Sequence, residues 1–203
     1  MNRPLRFWDV SVLFLLALAL CGGSMPAWAL DKGAALPSFS LKNVNGKTVS
    51  ASDFSDKIAL VVVFASHTCT YSSAYEDRLA ALQNEFGGKG VRFVLINPNS
   101  ADDQTAGRFE SMQKRATEQK YPFPYLFDES RQTTSAFGAT KTPEAFVFGA
   151  DHKLVYRGRI DDNTEAKQVR THDLQNVLNL IVAGTPDKIS ASNIASFGCS
   201  IKR

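Results

Sequence analysis

Cysteine and histidine are scarce in this chain, three of each among 203 residues. Apart from His67 and Cys69, which stand two residues apart, none of them cluster. A metal centre of thiolate and imidazole ligands needs three or four such groups at recognisable spacing, so no metal or other cofactor is expected. The chain also lacks any block of like charge or basic stripe, and its formal net charge is only +3. Nucleic acid and acidic membrane surfaces are therefore not expected partners. There is no internal repeat and no low-complexity segment. The apolar run 12–20 falls well short of the ~20 residues that cross a bilayer.

That short run belongs to a different pattern. Arg3 and Arg6 precede it, and Ala27-Trp28-Ala29 follows it. A positive start, an apolar middle and a small-residue cleavage site read as a secretory signal over 1–29. The expectation is cleavage after Ala29, export to a periplasmic or extracellular location, and no stable membrane span in what remains. An uncleaved anchor is the alternative. Cys21 follows Leu20, where a lipidation signal wants Gly, Ala or Ser, so lipidation is not expected. Residues 30–203 are long enough for one domain with a full core. Two cysteines remain in it, Cys69 and Cys199, and two cysteines in an exported protein suggest a disulfide, transient or permanent.

The stretch 58–79 organises the rest. Residues 58–65 form a continuous apolar run, the pattern of a strand buried on both faces. Small polar residues and Cys69 follow. Tyr71, Tyr75, Leu79 and Leu82 then recur at helical spacing. Cys69 thus lies where a strand hands over to a helix. Free N–H groups and the positive dipole end at a helix start favour an anion, and the thiolate is the nucleophilic form of cysteine. The expectation is a reactive, partly exposed cysteine with a lowered pKa. The alternative is a small, inert core residue.

Around this stretch the chain reads as alternating elements. A hairpin turns at Asn45-Gly46, with strands near Phe39-Ser40-Leu41 and 47–50. Ser52-Asp53-Phe54 forms a short helical turn. The glycines at 87, 88 and 90 end the first helix, and 91–97 is the next strand, parallel to the first. A second helix is predicted over 105–118, a strand over 125–127, and a helical turn capped by Asp128 and closed by Gly138. After Thr142-Pro143, strands at 145–148 and 154–157 pair antiparallel. A loop follows over 158–163. The last helix, 172–182, turns Leu174, Leu178, Ile181 and Val182 inward. The sum is an α/β domain with a mixed sheet of four to five strands, helices on both faces, an N-terminal hairpin and a cysteine-bearing tail outside the core.

This order resembles the thioredoxin fold, and the longer pattern is similar to the AhpC/TSA (peroxiredoxin-like) family. The carrying stretches are 69–79, 121–130, Lys-Thr-Pro-Glu-Ala-Phe-Val-Phe (141–148), Tyr-Arg-Gly-Arg-Ile-Asp-Asp-Asn (156–163) and Gly-Cys-Ser-Ile-Lys (198–202). The resemblance implies a thiol oxidoreductase with antioxidant activity, acting on a peroxide or a protein disulfide and recycled by an external dithiol reductant. It implies Cys69 as the attacking thiolate, Ser66 as a hydroxyl beside it, and Thr142-Pro143 as a cis-proline loop that pairs its backbone with a bound peptide or disulfide. The departures are specific. The family's Pro-x-x-x-Thr-x-x-Cys appears with Val62 and Ser66 in place of its proline and threonine. Pro143 stands where a peroxide-activating arginine would. Arg157 or Arg159 is a substitute for it, or simply a charged strand edge. The site reads Cys69-Thr70-Tyr71-Ser72, so no local thiol resolves a mixed disulfide. Cys199 is the candidate resolving residue. The alternatives are a permanent staple and a pair too distant to bond.

Other residues carry two readings each. His67 is a proton donor, or half of a metal site for which no further ligands cluster in the sequence. His152 and His172 are expected to be exposed. Asp161-Asp162 is a carboxylate pair, or a solvated or capping loop. At the level of function the rivals are a binding or adaptor protein without turnover and a monothiol exchange protein.

Overall fold

The computed structural model describes residues 30–98 and 108–202. Residues 1–29, with the expected signal segment and Cys21, residues 99–107 and Arg203 lie outside them. The strands are β1 (Ser40–Asn43), β2 (Thr48–Ser50), β3 (Ala59–Phe64), β4 (Val91–Asn97), β5 (Tyr125–Phe127), β6 (Lys141–Thr142), β7 (Glu144–Gly149), β8 (Leu154–Gly158), β9 (Asn193–Ile194) and β10 (Cys199–Ser200). The α-helices are α1 (Thr70–Gly87), α2 (Arg108–Glu118), α3 (Gln132–Phe137) and α4 (Asp173–Val182).

One mixed sheet runs in the order β2-β1-β5-β4-β3-β7-β8-β9. At its centre β3 is parallel to β4 and antiparallel to β7. All six residues of β3 are buried, because both faces of the sheet are covered. Ala59, Val61 and Val63 pack with Tyr75, Leu79 and Phe86 of α1, Met112 of α2, and Leu174 and Leu178 of α4. Leu60, Val62 and Phe64 pack on the other face with Phe137 of α3 and Phe54 of a 3-10 turn. The period-2 alternation of a strand divides one apolar run between two cores. Each fully buried valine there contributes roughly 1.5–3 kcal/mol relative to exposure.

Eight strands stand where four to five are expected from the sequence. The N-terminal hairpin joins the sheet: β1 pairs with β5 and extends it. At the opposite edge β9 pairs parallel with β8. The tail is therefore part of the architecture, and its last strand, β10, pairs antiparallel with β6 as a separate two-stranded sheet. Such two-residue strands have no periodicity to read. One inward residue of α4 is also corrected. Val182 is 37% exposed, and Val177 takes its place in the core. Positions 174, 177, 178 and 181 follow the i, i+3, i+4, i+7 stripe, and 182, at i+8, stands at its edge as the last residue of the helix.

Candidate active site

The end of β3 delivers the chain to Cys69. The Ala65 N–H donates to Ile96 O (2.9 Å), continuing the ladder, and the Cys69 N–H turns back to Ser66 O (3.0 Å). Cys69 is the N-cap of α1, whose first turn contains no acidic side chain. The dipole end is left for the sulfur to face. The Ser66 hydroxyl pairs with the Thr68 hydroxyl at 2.9 Å, and its N–H donates to the Ser72 hydroxyl at 3.2 Å.

Across from Cys69 lies the Thr142-Pro143 peptide bond, which is cis. The Thr142 carbonyl oxygen is 3.2 Å from Cys69 Sγ. Cys69 and Cys199 form a disulfide with a Cα–Cα distance of 6.1 Å, so the pair is not too distant to bond. In this state the sulfur has no proton to donate. Cys69 is 4% exposed, not partly exposed as expected, because β10 lies over it. A cavity of about 130 Å³ adjoins the disulfide, lined by Ser66, Thr68, Arg131, Thr142 and the tail.

Two residues not singled out from the sequence support this geometry. Glu144, buried at the start of β7, accepts the N–H of Thr140 (2.8 Å) and Lys141 (3.3 Å) on one oxygen and Arg157 Nε (2.8 Å) on the other. Arg157 Nη2 donates in turn to Gly138 O at 2.9 Å. The carboxylate thus holds the short segment that presents the Thr142 carbonyl. A lone carboxylate in an apolar strand is the signal that would have found it, since a buried charge needs a partner. Arg131 has a left-handed backbone (φ 58°) just before α3, and its Nη1 donates to Lys202 O at 3.0 Å. Nothing in the local pattern marks it.

The arginines considered from the sequence are engaged elsewhere. Arg157 pairs with Glu144, and Arg159 Nε donates to Asp173 at 2.7 Å. The two aspartates also separate in role. Asp161 is buried and bonded to Arg78. Asp162 accepts the Arg170 N–H, and backbone hydrogen bonds from Arg170 and Thr171 hold its pKa below the usual value. His172 is exposed and His152 is half-buried.

His67 sits behind the site. Its N–H donates to Tyr125 Oη (3.1 Å), and Nδ1 lies 3.4 Å from both Tyr125 Oη and Asn97 Nδ2. Its Nε2 is buried with no partner among the described residues. Burial, followed by the Arg115 charge, lowers its pKa below the ordinary 6.5. Burial likewise raises the Tyr125 hydroxyl well above its usual range. The imidazole is neutral at pH 7. As pH falls through about 6.5 the unfolded chain binds a proton that the folded chain resists, so stability declines from there down to the folded pKa. Urea midpoints between pH 5 and 8 should fall on the acid side, and His67→Gln should flatten that slope. Equal slopes in the two proteins would refute the assignment.

Comparison with known proteins adds the family. The model of the AhpC/TSA family matches residues 32–157. No curated protein matches the sequence. Among solved structures, an uncharacterized conserved protein from Geobacillus kaustophilus is 34% identical, with 86% of this chain and 93% of that one covered and a TM-score of 0.79. A hypothetical protein from Sinorhizobium meliloti 1021 is 29% identical over 86% and 96%, also at 0.79. The thioredoxin domain of a thiol-disulfide oxidoreductase from Bacteroides vulgatus shares 20% identity over 76% and 99%, at 0.61, a likeness of fold. The order of elements, the cysteine at the head of α1 and a family match over more than half the chain agree: this protein belongs to the AhpC/TSA family and has a thioredoxin-like fold.

Proposed function

We propose that this protein is an exported thiol-disulfide oxidoreductase in which Cys69 is the attacking thiolate and Cys199 the resolving thiol. The observation that carries the reading is the Cys69–Cys199 disulfide at the start of α1, against the Thr142 carbonyl. In the reduced protein, Cys69 attacks one sulfur of a substrate disulfide. A mixed disulfide forms and the other substrate sulfur leaves as a thiolate. Cys199 then attacks Cys69 Sγ, releasing the second substrate thiolate and restoring the internal disulfide. The substrate gains two electrons, and an external dithiol returns them to the protein. Ser66 and Thr142-Pro143 contribute to the substrate side of the site. Export rests on the pattern of residues 1–29, and material recovered outside the cytoplasm would begin at Leu30.

Peroxide is the second reading, favoured by Arg131 and the Ser66 and Thr68 hydroxyls, which line the same cavity as Cys69. A peroxide would leave a sulfenic acid on Cys69, and condensation with Cys199 would expel water. Stopped-flow oxidation of the reduced protein separates the two, with hydrogen peroxide in one arm and a peptide disulfide in the other, followed by mass mapping. The expected result is rapid formation of the Cys69–Cys199 disulfide with the peptide, and peroxide consumption no faster than by a free thiol. Fast peroxide consumption would reverse the order of the readings. A cysteine inert to both would leave a binding protein without turnover.

A further inference from the structure

The tail does more than bring a second sulfur to Cys69. Residues 197–202 cross the site, with a bend at Gly198 and a strand over Cys199–Ser200. Cys199 pairs with Thr142 and Ser200 with Lys141, antiparallel. The Ile201 N–H donates to Thr140 O at 3.0 Å, and Arg131 Nη1 donates to Lys202 O. Backbone pairing of this kind is indifferent to sequence; the side chains supply selectivity. Two positions are selective here. A Cβ on Gly198 would overlap the Thr142 carbonyl, lying 2.8 Å from its carbon and 3.3 Å from Pro143 N. Both obstacles are backbone and cannot swing aside. Just before it, the Phe197 ring stands 6.4 Å from the rings of both Tyr71 and Tyr75. Tyr75 is buried, whereas Tyr71 stays 42% exposed with the tail in place.

We infer that the tail is a template for the partner: the reduced protein exchanges with an extended segment of another polypeptide in which an aromatic residue and then glycine precede the reacting cysteine. This rests on the proposal that Cys69 exchanges with external disulfides, and it assigns Tyr71 and the Thr142 backbone as the selecting groups. In the reduced protein the tail is held by non-covalent contacts alone, and the partner segment takes its place residue for residue. A side chain in place of the glycine holds the partner's cysteine away from Cys69. A non-aromatic residue before the glycine forgoes the ring contacts.

The test uses the full mature protein with Cys199→Ser, reduced, so that Cys69 is the reacting thiol. The probes are the peptide Ser-Phe-Gly-Cys-Ser-Ile-Lys, its Gly-to-Ala form and its Phe-to-Ala form. Each carries its cysteine as a mixed disulfide with thionitrobenzoate. Attack by Cys69 on the peptide sulfur joins peptide to protein and releases the coloured thionitrobenzoate. Any residual docking of the tail slows all three probes alike. The Gly-to-Ala probe should react about 10-fold or more slowly, the scale of overpacking against fixed atoms. The Phe-to-Ala probe should be roughly 3- to 10-fold slower, the scale of an aromatic pair. Tyr71→Ala should shrink the phenylalanine preference to the part that the Tyr75 ring still supports and leave the glycine preference intact. Equal rates for the three probes, in a protein that reacts normally with dithiobis(nitrobenzoate), would overturn the template while sparing the exchange reading. No reaction even with that small disulfide would remove the exchange reading and the template with it.

Discussion

Cys69→Ser is expected to abolish exchange with a peptide disulfide, lowering the rate on the order of 10⁴-fold or more, the scale of losing a covalent nucleophile. Cys199→Ser should behave differently. The first attack needs only Cys69, placed at the N-cap of α1 with no carboxylate in the first turn. That variant should form the mixed disulfide at an undiminished rate and then stall, because the nearest position in a local Cys-x-x-Cys pattern is Ser72. Mass spectrometry should therefore find a stable adduct on Cys69 in Cys199→Ser and none in Cys69→Ser. If Cys199→Ser still turned over with a dithiol donor, the resolving role would be wrong. If Cys69→Ser retained exchange through Cys199, the roles of the two sulfurs would be reversed.

Glu144→Ala is expected to cost about 3–5 kcal/mol, the range for breaking a buried ion pair from one side. Glu144 and Arg157 are both buried. Removing the carboxylate strands the guanidinium, which among the described residues keeps Gly138 O and the Phe146 ring, 5.1 Å away. It also unpairs the N–H groups of Thr140 and Lys141. At roughly 2–4 °C per kcal/mol for a domain of this size, the midpoint of thermal unfolding should fall by about 6–20 °C. Glu144→Gln, which keeps an acceptor, should lose less. The double variant Glu144→Ala/Arg157→Met should regain a large part of the loss, since the stranded charge is gone. Calorimetry of the oxidised proteins decides it, and a Glu144→Ala loss under 1 kcal/mol would remove the supporting role. Residues 140–142 carry the Thr142 carbonyl to Cys69, so the same variant should also slow exchange.

Most elements were legible because their signals are local. The buried run ending at Phe64 and the helical spacing from Tyr71 place Cys69 at a strand–helix junction without any knowledge of neighbours. The Asn45-Gly46 turn, the Asp128 cap and the Gly138 stop are likewise each contained within a few residues. Where the reading failed, the deciding partner was distant. Two-residue β9 and β10 exist only because β8 and β6 offer them an edge. Val182 satisfies hydrophobicity and spacing, but it ends α4 at the edge of the stripe and stays exposed.

By itself the sequence determined the fold class, the family resemblance and the position of Cys69, since periodicity and turn chemistry act over a few residues. Tertiary structure alone decided what surrounds that sulfur. Cys199 reaches it across 130 residues of sequence. Arg157 and Arg159 are bound to carboxylates away from the cysteine, and Arg131 lines its cavity instead. The requirement for glycine at 198 comes from a backbone that approaches it from residue 142. Hydrogen-bond partners, buried charges and steric exclusion are pairwise properties of groups brought together by folding, and a linear pattern does not contain the distances between them.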